Sequence, residues 1–314
     1  MLDYHLAAMM KQVQASGMPD LADLPPPACR GLYREILAAA DGPPADVAVD
    51  NRRIAGPAGD ATIGLRIYTP PTAGPHGVVV FYHGGGYLLG DLDGYDNVAR
   101  RLCQDSDAMV VSVDYRLAPE HPFPAAPDDA WAALQWVAVH AAELGGDPAR
   151  LAVAGDSAGA VLAAVVALLA RDAGGPHIAA QGLLYPPAAG AHAGDYPSRE
   201  IHAAGPTLTA RTMDYFNRYY FGALEAAPDF RGGPLLANDL SGLPPTLLLL
   251  ATHDAVRDEA LAYGNALLAA GNEVITIEYV GLAHGFVSMG ALPAARMATR
   301  QWGDYLRTAL SPRA

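Results

Sequence analysis

Leu151-Ala152-Val153-Ala154-Gly155-Asp156-Ser157-Ala158-Gly159-Ala160-Val161-Leu162 joins a short apolar run to a long one through two glycines that bracket a serine. Its centre, Gly155 to Gly159, has the Gly-x-Ser-x-Gly pattern of a nucleophile elbow, where a strand turns sharply into a helix. A serine on such a turn sits on a strained backbone, and glycine on either side lets the two chain segments close up without clashes. The run that follows, Ala158 to Ala170, is 13 residues long. That is too short to span a bilayer and reads as a helix buried on nearly all sides. An ordinary tight turn would use the same small residues, so the rest of the chain decides between the two readings.

From Pro70-Pro71 onward, short strand-like runs alternate with helical segments, the pattern of a mostly parallel sheet with helices on both faces. The runs are Val78 to Tyr82, Met109 to Val113, Leu151 to Ala154, Gly182 to Tyr185, Thr246 to Leu250 and Val274 to Tyr279. Helices are expected near 94–105, 127–143, 158–172, 257–271 and 293–309. Before this region, Val47 to Ile54 and Thr62 to Tyr68 flank the turn composition Gly56-Pro57-Ala58-Gly59-Asp60, which predicts an antiparallel hairpin. Residues 1 to about 45 read as helical, interrupted at Pro19 and at Pro25-Pro26-Pro27. The stretch from about 188 to 228 breaks the alternation and is rich in aromatics, as an insertion lying over the sheet would be.

The 314 residues fit one α/β domain with insertions, and 51% hydrophobic content supplies a large core. A net charge of −13 argues against nucleic acid or an anionic membrane as partner, since both select clustered Lys and Arg. Cys29 and Cys103 stand far apart without metal-ligand spacing, which suits a reducing compartment. The opening residues Met1-Leu2-Asp3-Tyr4-His5 lack the features of a signal peptide, so a cytoplasmic location is expected.

Open α/β sheets deliver functional groups at the carboxyl ends of their strands. After the run ending at Tyr82 comes His83-Gly84-Gly85-Gly86, whose uncovered backbone N–H groups suit an oxyanion hole together with the N–H of Ala158. A dinucleotide loop of Gly-x-Gly-x-x-Gly type fails here, because Leu89 holds the third glycine position. After Leu250 comes Ala251-Thr252-His253-Asp254, and after Tyr279 comes Val280-Gly281-Leu282-Ala283-His284-Gly285-Phe286. The order Ser157, Asp254, His284 is that of nucleophile, acid and base. A serine hydroxyl needs an imidazole to take its proton, and the imidazole needs a carboxylate to fix its tautomer. Only the neutral imidazole accepts a proton, so activity is expected to fall on acidification. His253 competes weakly as base because it shares the acid's strand end, and Asp258 and Glu259 compete as acid from the first turn of the next helix.

The chain resembles the hormone-sensitive-lipase-like group of α/β-hydrolases, the bacterial family IV esterases. The likeness runs from about Val78 to Met289. Beyond the residues above, Asp114-Tyr115-Arg116-Leu117-Ala118-Pro119-Glu120-His121-Pro122-Phe123-Pro124-Ala125-Ala126 and Pro234-Leu235-Leu236-Ala237 carry it. The resemblance implies an α/β-hydrolase fold with a helical cap built from about 1–45 and 188–228. It implies Ser157 as nucleophile, His284 as base and Asp254 as acid, with oxyanion donors at Gly85, Gly86 and Ala158 and Gly84 shaping the loop. Asp114, Arg116 and Glu120 are expected to make internal ion pairs that hold the loop after the second parallel strand.

One departure is the acid loop. The group has Asp-Pro-Leu-Arg-Asp-Glu-Gly, and this chain has Asp254-Ala255-Val256-Arg257-Asp258-Glu259-Ala260, without the stiffening proline. Tyr87, Met9, Met10, Tyr215 and Phe216 are the candidate walls of the substrate pocket. The implied activity is hydrolysis of short-chain acyl esters, a small-molecule substrate, with no metal or cofactor. Lactone, carbamate or amide hydrolysis by the same triad is the alternative. A receptor without activity, as in the plant gibberellin receptors that lack the histidine, is disfavoured by His284. Some relatives pair as a homodimer through an edge strand or helix, and nothing in this sequence decides that point.

Overall fold

The computed structural model describes residues 1–57, 59, 62–191, 194–224 and 229–312. Eight strands form one sheet among the described residues: β1 (Ala48–Ala55), β2 (Thr62–Thr69), β3 (His76–Tyr82), β4 (Met109–Asp114), β5 (Gly146–Asp156), β6 (Ala180–Leu184), β7 (Thr246–His253) and β8 (Val274–Ala283). Their spatial order is β1-β2-β4-β3-β5-β6-β7-β8. β2 runs antiparallel to β1 and β4, and every other pairing is parallel. The expected hairpin is present, with Ala48 opposite Thr69 and Ala55 opposite Thr62. Ala58 and Asp60 of its turn lie outside the described residues, as do 192–193 and 225–228 of the 188–228 stretch.

The helices are α1 (Tyr4–Ala15), α2 (Pro26–Ala40), α3 (Asp96–Ser106), α4 (Ala125–His140), α5 (Ala158–Asp172), α6 (Pro197–Ile201), α7 (Ala210–Tyr220), α8 (Arg257–Ala269) and α9 (Pro293–Ala309). Alternation along β3 shows how the layers form. Val78, Val80 and Tyr82 pack with Leu134 of α4, Leu162 of α5 and Leu267 of α8. Val79 and Phe81 point the other way, toward Leu102 of α3 and Trp302 and Leu306 of α9. With both faces covered, all seven residues of β3 are buried, which is why its sequence is continuously apolar from Val78 to Tyr82. α5 is buried along nearly its whole length, as its composition predicts. No helix among the described residues is long and apolar enough to cross a membrane.

The strand at the sheet's antiparallel edge is protected differently. β1 exposes Asp50, Asn51, Arg52 and Arg53, charged and polar groups that discourage pairing with another chain. The helices of the first forty residues start on local signals. Asp3 caps α1 by accepting the N–H groups of His5 and Leu6 at 2.9 and 3.1 Å. Pro26 and Pro27 open α2, where the missing N–H costs nothing. α1 is also tied to the end of β8, since the N–H of Asp3 donates to the Gly281 carbonyl at 3.0 Å.

Two of the three residues expected to make ion pairs after β4 do so. Arg116 binds Asp129 on α4, with Nη2 to Oδ1 at 2.7 Å. Glu120 binds Arg30 on α2 at 2.6 Å. Asp114 makes no ion pair among the described residues; it sits opposite Gly64 of β2 at the end of its strand. These two pairs tie the loop to α2 on one side and to α4 on the other.

Candidate active site

Four loops leave the carboxyl ends of β3, β5, β7 and β8 and converge. At the end of β5, Ser157 takes φ 52° and ψ −121°, a left-handed conformation that costs a non-glycine residue on the order of 1–3 kcal/mol. The turn persists because it is braced. The Ser157 N–H donates to the Leu184 carbonyl of β6 at 2.9 Å, and its carbonyl accepts from Ala160 and Val161. The bracketing glycines are required by contact. A Cβ at Gly155 would strike the Gly159 carbonyl, and one at Gly159 would strike the carbonyl of Tyr82.

Ser157 Oγ lies 2.8 Å from His284 Nε2, and His284 Nδ1 lies 2.7 Å from Asp254 Oδ2. An ionised carboxylate only accepts, so the proton sits on Nδ1, and Nε2 is left to accept the serine O–H. Asp254 is fully buried, while the His284 side chain keeps 11% of its surface exposed. The second Asp254 oxygen accepts the N–H of Val256 at 3.0 Å. The His284 carbonyl accepts from Thr207 at 2.8 Å. Although the acid loop lacks its proline, Ala255 is buried and its carbonyl accepts from Ser198 Oγ at 2.8 Å.

The glycine loop after β3 divides its tasks. Gly84 donates its N–H to Asp156 Oδ1 at 2.8 Å, so it anchors the loop and has no N–H left for an oxyanion. Gly85 and Gly86 take φ of 113° and 59°. Their N–H groups and that of Ala158 have no acceptor among the described residues, and all three residues line the cavity beside Ser157. His83 stands behind the loop, fully buried and stacked on Tyr115 at 4.4 Å between centroids. Its Nδ1 meets the Gly84 carbonyl at 2.8 Å, and burial pushes its pKa down to about 4, so it is a neutral support.

The cavity over Ser157 measures about 590 Å³. Met9 and Met10 of α1 line it, as do Tyr87, Phe216 and Met213. A Cβ at Gly86 would strike the Phe216 ring, so that ring lies directly on the glycine loop. Tyr215 does not line this cavity. It faces a second, more open groove, and its hydroxyl donates to the Leu24 carbonyl at 2.8 Å. The reason is helical geometry, because neighbouring positions on α7 point about 100° apart. The spacing Met213–Phe216–Asn217 marks the cavity face of α7 and was the sequence signal available for it.

The competing candidates are occupied elsewhere. His253 Nδ1 meets Thr252 Oγ1 at 3.1 Å, and its ring packs near His202. Asp258 accepts the Ser198 N–H at 2.9 Å. Glu259 binds Arg199 at 3.0 Å and the Ala189 N–H at 2.9 Å, and burial pushes its pKa up to about 7 against the pull of Arg199. Cys29 and Cys103 are free and buried. Among the described residues no three His, Cys, Asp or Glu side chains gather where a metal ion would fit.

Asp156 was not among the residues expected from sequence to act in the site. It lines the cavity and is buried, with Oδ1 on Gly84 and Oδ2 near the hydroxyls of Tyr95 (3.3 Å) and Tyr185 (3.5 Å). Burial pushes its carboxyl up to about 6, opposed by the Gly84 N–H and by the nearby His284.

Known proteins share this architecture. A family described as having the alpha/beta hydrolase fold matches residues 79–288. Esterase LipI of Mycobacterium tuberculosis is 44% identical over 270 residues, covering 84% of this chain and 82% of its own. Carboxylic ester hydrolase LipN of the same organism is 43% identical over 319 residues, covering 99% of this chain and 84% of its own. A thermostable esterase from Pseudomonas putida superposes with a TM-score of 0.94 at 34% identity, covering 99% of this chain and 98% of its own. With the matched span, the elbow and the sheet order in agreement, the chain belongs to the hormone-sensitive-lipase-like family of α/β-hydrolases.

Proposed function

We propose that this protein is a serine carboxylesterase that hydrolyses short-chain acyl esters. One observation carries the reading: the continuous hydrogen-bond chain Asp254–His284–Ser157 ends in the cavity beside the N–H groups of Gly85, Gly86 and Ala158. Ser157 Oγ attacks the ester carbonyl as His284 Nε2 takes its proton. The carbonyl oxygen, now anionic, accepts hydrogen bonds from those backbone groups. Collapse of the tetrahedral species breaks the bond to the alcohol oxygen, which leaves with the proton from His284. Water then gives a proton to His284, attacks the acyl-serine, and releases the acid as Ser157 recovers its hydrogen.

The chain is one α/β-hydrolase domain whose cap is formed by the segments of about 1–45 and 188–228, which supply the cavity walls opposite Ser157. A cavity of about 590 Å³ has room for roughly twenty waters, enough for a small acyl group and its alcohol. The esterase names of LipI, LipN and the Pseudomonas enzyme support the bond type. Free buried thiols at Cys29 and Cys103 support a reducing compartment, the cytoplasm. β8 is an open edge with Ile275 and Val280 exposed, and a homodimer would pair there.

The test is hydrolysis of p-nitrophenyl acetate, butyrate and hexanoate beside the matching anilide, together with fluorophosphonate labelling of Ser157 read by mass spectrometry. Ester turnover well above anilide turnover and a label on Ser157 are expected. An unlabelled Ser157 or a preference for the anilide would overturn the reading.

A further inference from the structure

The hydroxyl of Tyr33 on α2 meets that of Tyr95 at 3.0 Å, and Tyr95 donates to Asp156 Oδ2 at 3.3 Å. Tyr95 has one proton and gives it to the carboxylate, so Tyr33 must donate to Tyr95. Asp156 Oδ1 in turn accepts the Gly84 N–H. Tyr185 adds a second phenol at 3.5 Å to Oδ2 while accepting the Val287 N–H at 3.3 Å. Every hydrogen bond in this set points toward the Asp156 carboxyl.

The carboxyl therefore stands at the junction of three parts: the helix α2, the glycine loop and the serine elbow. Both Tyr33 and Asp156 also line the cavity. α2 is seated on the glycine loop by a second contact, because Arg30 Nε donates to the Leu88 carbonyl at 2.9 Å. Leu88 and Leu89 both donate their N–H groups to the Gly85 carbonyl, at 3.1 and 2.9 Å, which closes the loop on itself.

We propose that Asp156 is a positioning residue and that the chain Tyr33–Tyr95–Asp156–Gly84 couples the docking of α2 to the aim of the Gly85 and Gly86 N–H groups. The inference rests on the ester-hydrolase reading, since the aim of those groups matters only where an oxyanion forms. Loss of the coupling leaves the cavity and the nucleophile in place but misdirects the donors at the transition state. It lowers kcat and spares KM.

The experiment uses the full chain with the variants Tyr33→Phe, Tyr95→Phe, Asp156→Ala, Asp156→Asn and the pair Tyr33→Phe with Asp156→Ala. Steady-state kinetics on p-nitrophenyl butyrate are read beside thermal unfolding and fluorophosphonate labelling. Each Phe variant is expected to lose roughly 3- to 10-fold in kcat with KM unchanged. Asp156→Ala should lose roughly 100-fold, and Asp156→Asn, which keeps an acceptor for Gly84, should recover most of that. Tyr33→Phe should add nothing once Asp156 is Ala, because the chain is already cut.

Wild-type kcat in both Phe variants, a rise in KM alone, or full additivity in the pair would overturn the proposal. If Asp156→Ala does not fold, the two Phe variants decide by their kcat and KM. Absence of ester turnover in the unmodified enzyme would overturn the esterase reading, whereas wild-type kcat in the variants overturns only the coupling.

Discussion

Tyr87 lies flat on Tyr220, with ring centroids 3.8 Å apart and planes 10° from parallel. The contact joins the residue after Gly86 to the last residue of α7, so the glycine loop and the 188–228 segment share one aromatic brace. Tyr87 takes φ 62°, and the stack, with the hydrogen bond from the Ala118 N–H to its carbonyl at 2.9 Å, holds it there. The Tyr220 hydroxyl is buried without a partner among the described residues. Tyr220→Phe should therefore be neutral or stabilising by up to about 1 kcal/mol. Tyr220→Leu, which loses the stack, should cost about 1–3 kcal/mol. Urea unfolding of the two variants checks both, and a Phe variant weaker than the Leu variant would contradict the brace.

Replacing Ser157 or His284 by Ala should lower turnover of p-nitrophenyl butyrate by roughly 10⁴- to 10⁶-fold, with Asp254→Asn somewhat milder. The double variant Ser157→Ala with His284→Ala should be no worse than either alone, because the groups act as a unit. Rates that multiply in the double variant would mean that the two residues work independently.

Phe216 lies against Gly86 and closes the cavity over the glycine loop. Phe216→Ala opens that wall. The ratio of kcat/KM for hexanoyl over acetyl esters should rise by roughly 3- to 10-fold, a few tenths to one methylene's worth of pocket selectivity. An unchanged ratio would place the acyl chain elsewhere in the cavity.

His83 gives a pH signature in stability. Its folded pKa of about 4 lies below the usual imidazole value of 6.5, so between those values the unfolded chain takes a proton that the folded chain refuses. Stability is lost as pH falls through that window. From 7.5 to 5 the loss is about 2 kcal/mol, or 1.5 pH units at about 1.4 kcal/mol each. Asp156 and Glu259, with pKa raised to about 6 and about 7, act with the opposite sign and stabilise on acidification. Comparing wild type with His83→Gln isolates the first effect. Urea unfolding at pH 7.5 and 5 should show the wild type losing about 2 kcal/mol more than the variant, and parallel losses would show that His83 does not titrate as described.

The strands and the triad were legible in the sequence for the same reason. A parallel sheet buried on both faces demands continuous apolar runs such as Val78 to Tyr82, and the residue after each run is where a loop can expose a functional group. Thus His83, Ser157, Asp254 and His284 could be located by counting from strand ends. What could not be located depended on partners with no periodic relation. Glu120 pairs with Arg30, 90 residues away, and Tyr33 reaches Tyr95 across 62 residues. The Asp156 side chain belongs to the same kind, since the motif makes its position visible but not the phenols around it. Tyr215 and Phe216 show a smaller failure. Composition selected both as walls, and only the helical phase of α7 separates them.

The hydrogen bond from the Asp3 N–H to the Gly281 carbonyl fastens the first helix to the end of the last strand of the sheet. During synthesis, α1 leaves the ribosome long before β8 exists to receive it. Until then the cavity that Met9 and Met10 line lacks its wall of His284, Gly285, Ser288 and Met289. The elbow at Ser157 can form with the central strands, but the lining of its cavity is complete only when α1 and the residues that follow β8 stand together. A chain made only as far as β7 would hold the serine without its base, His284.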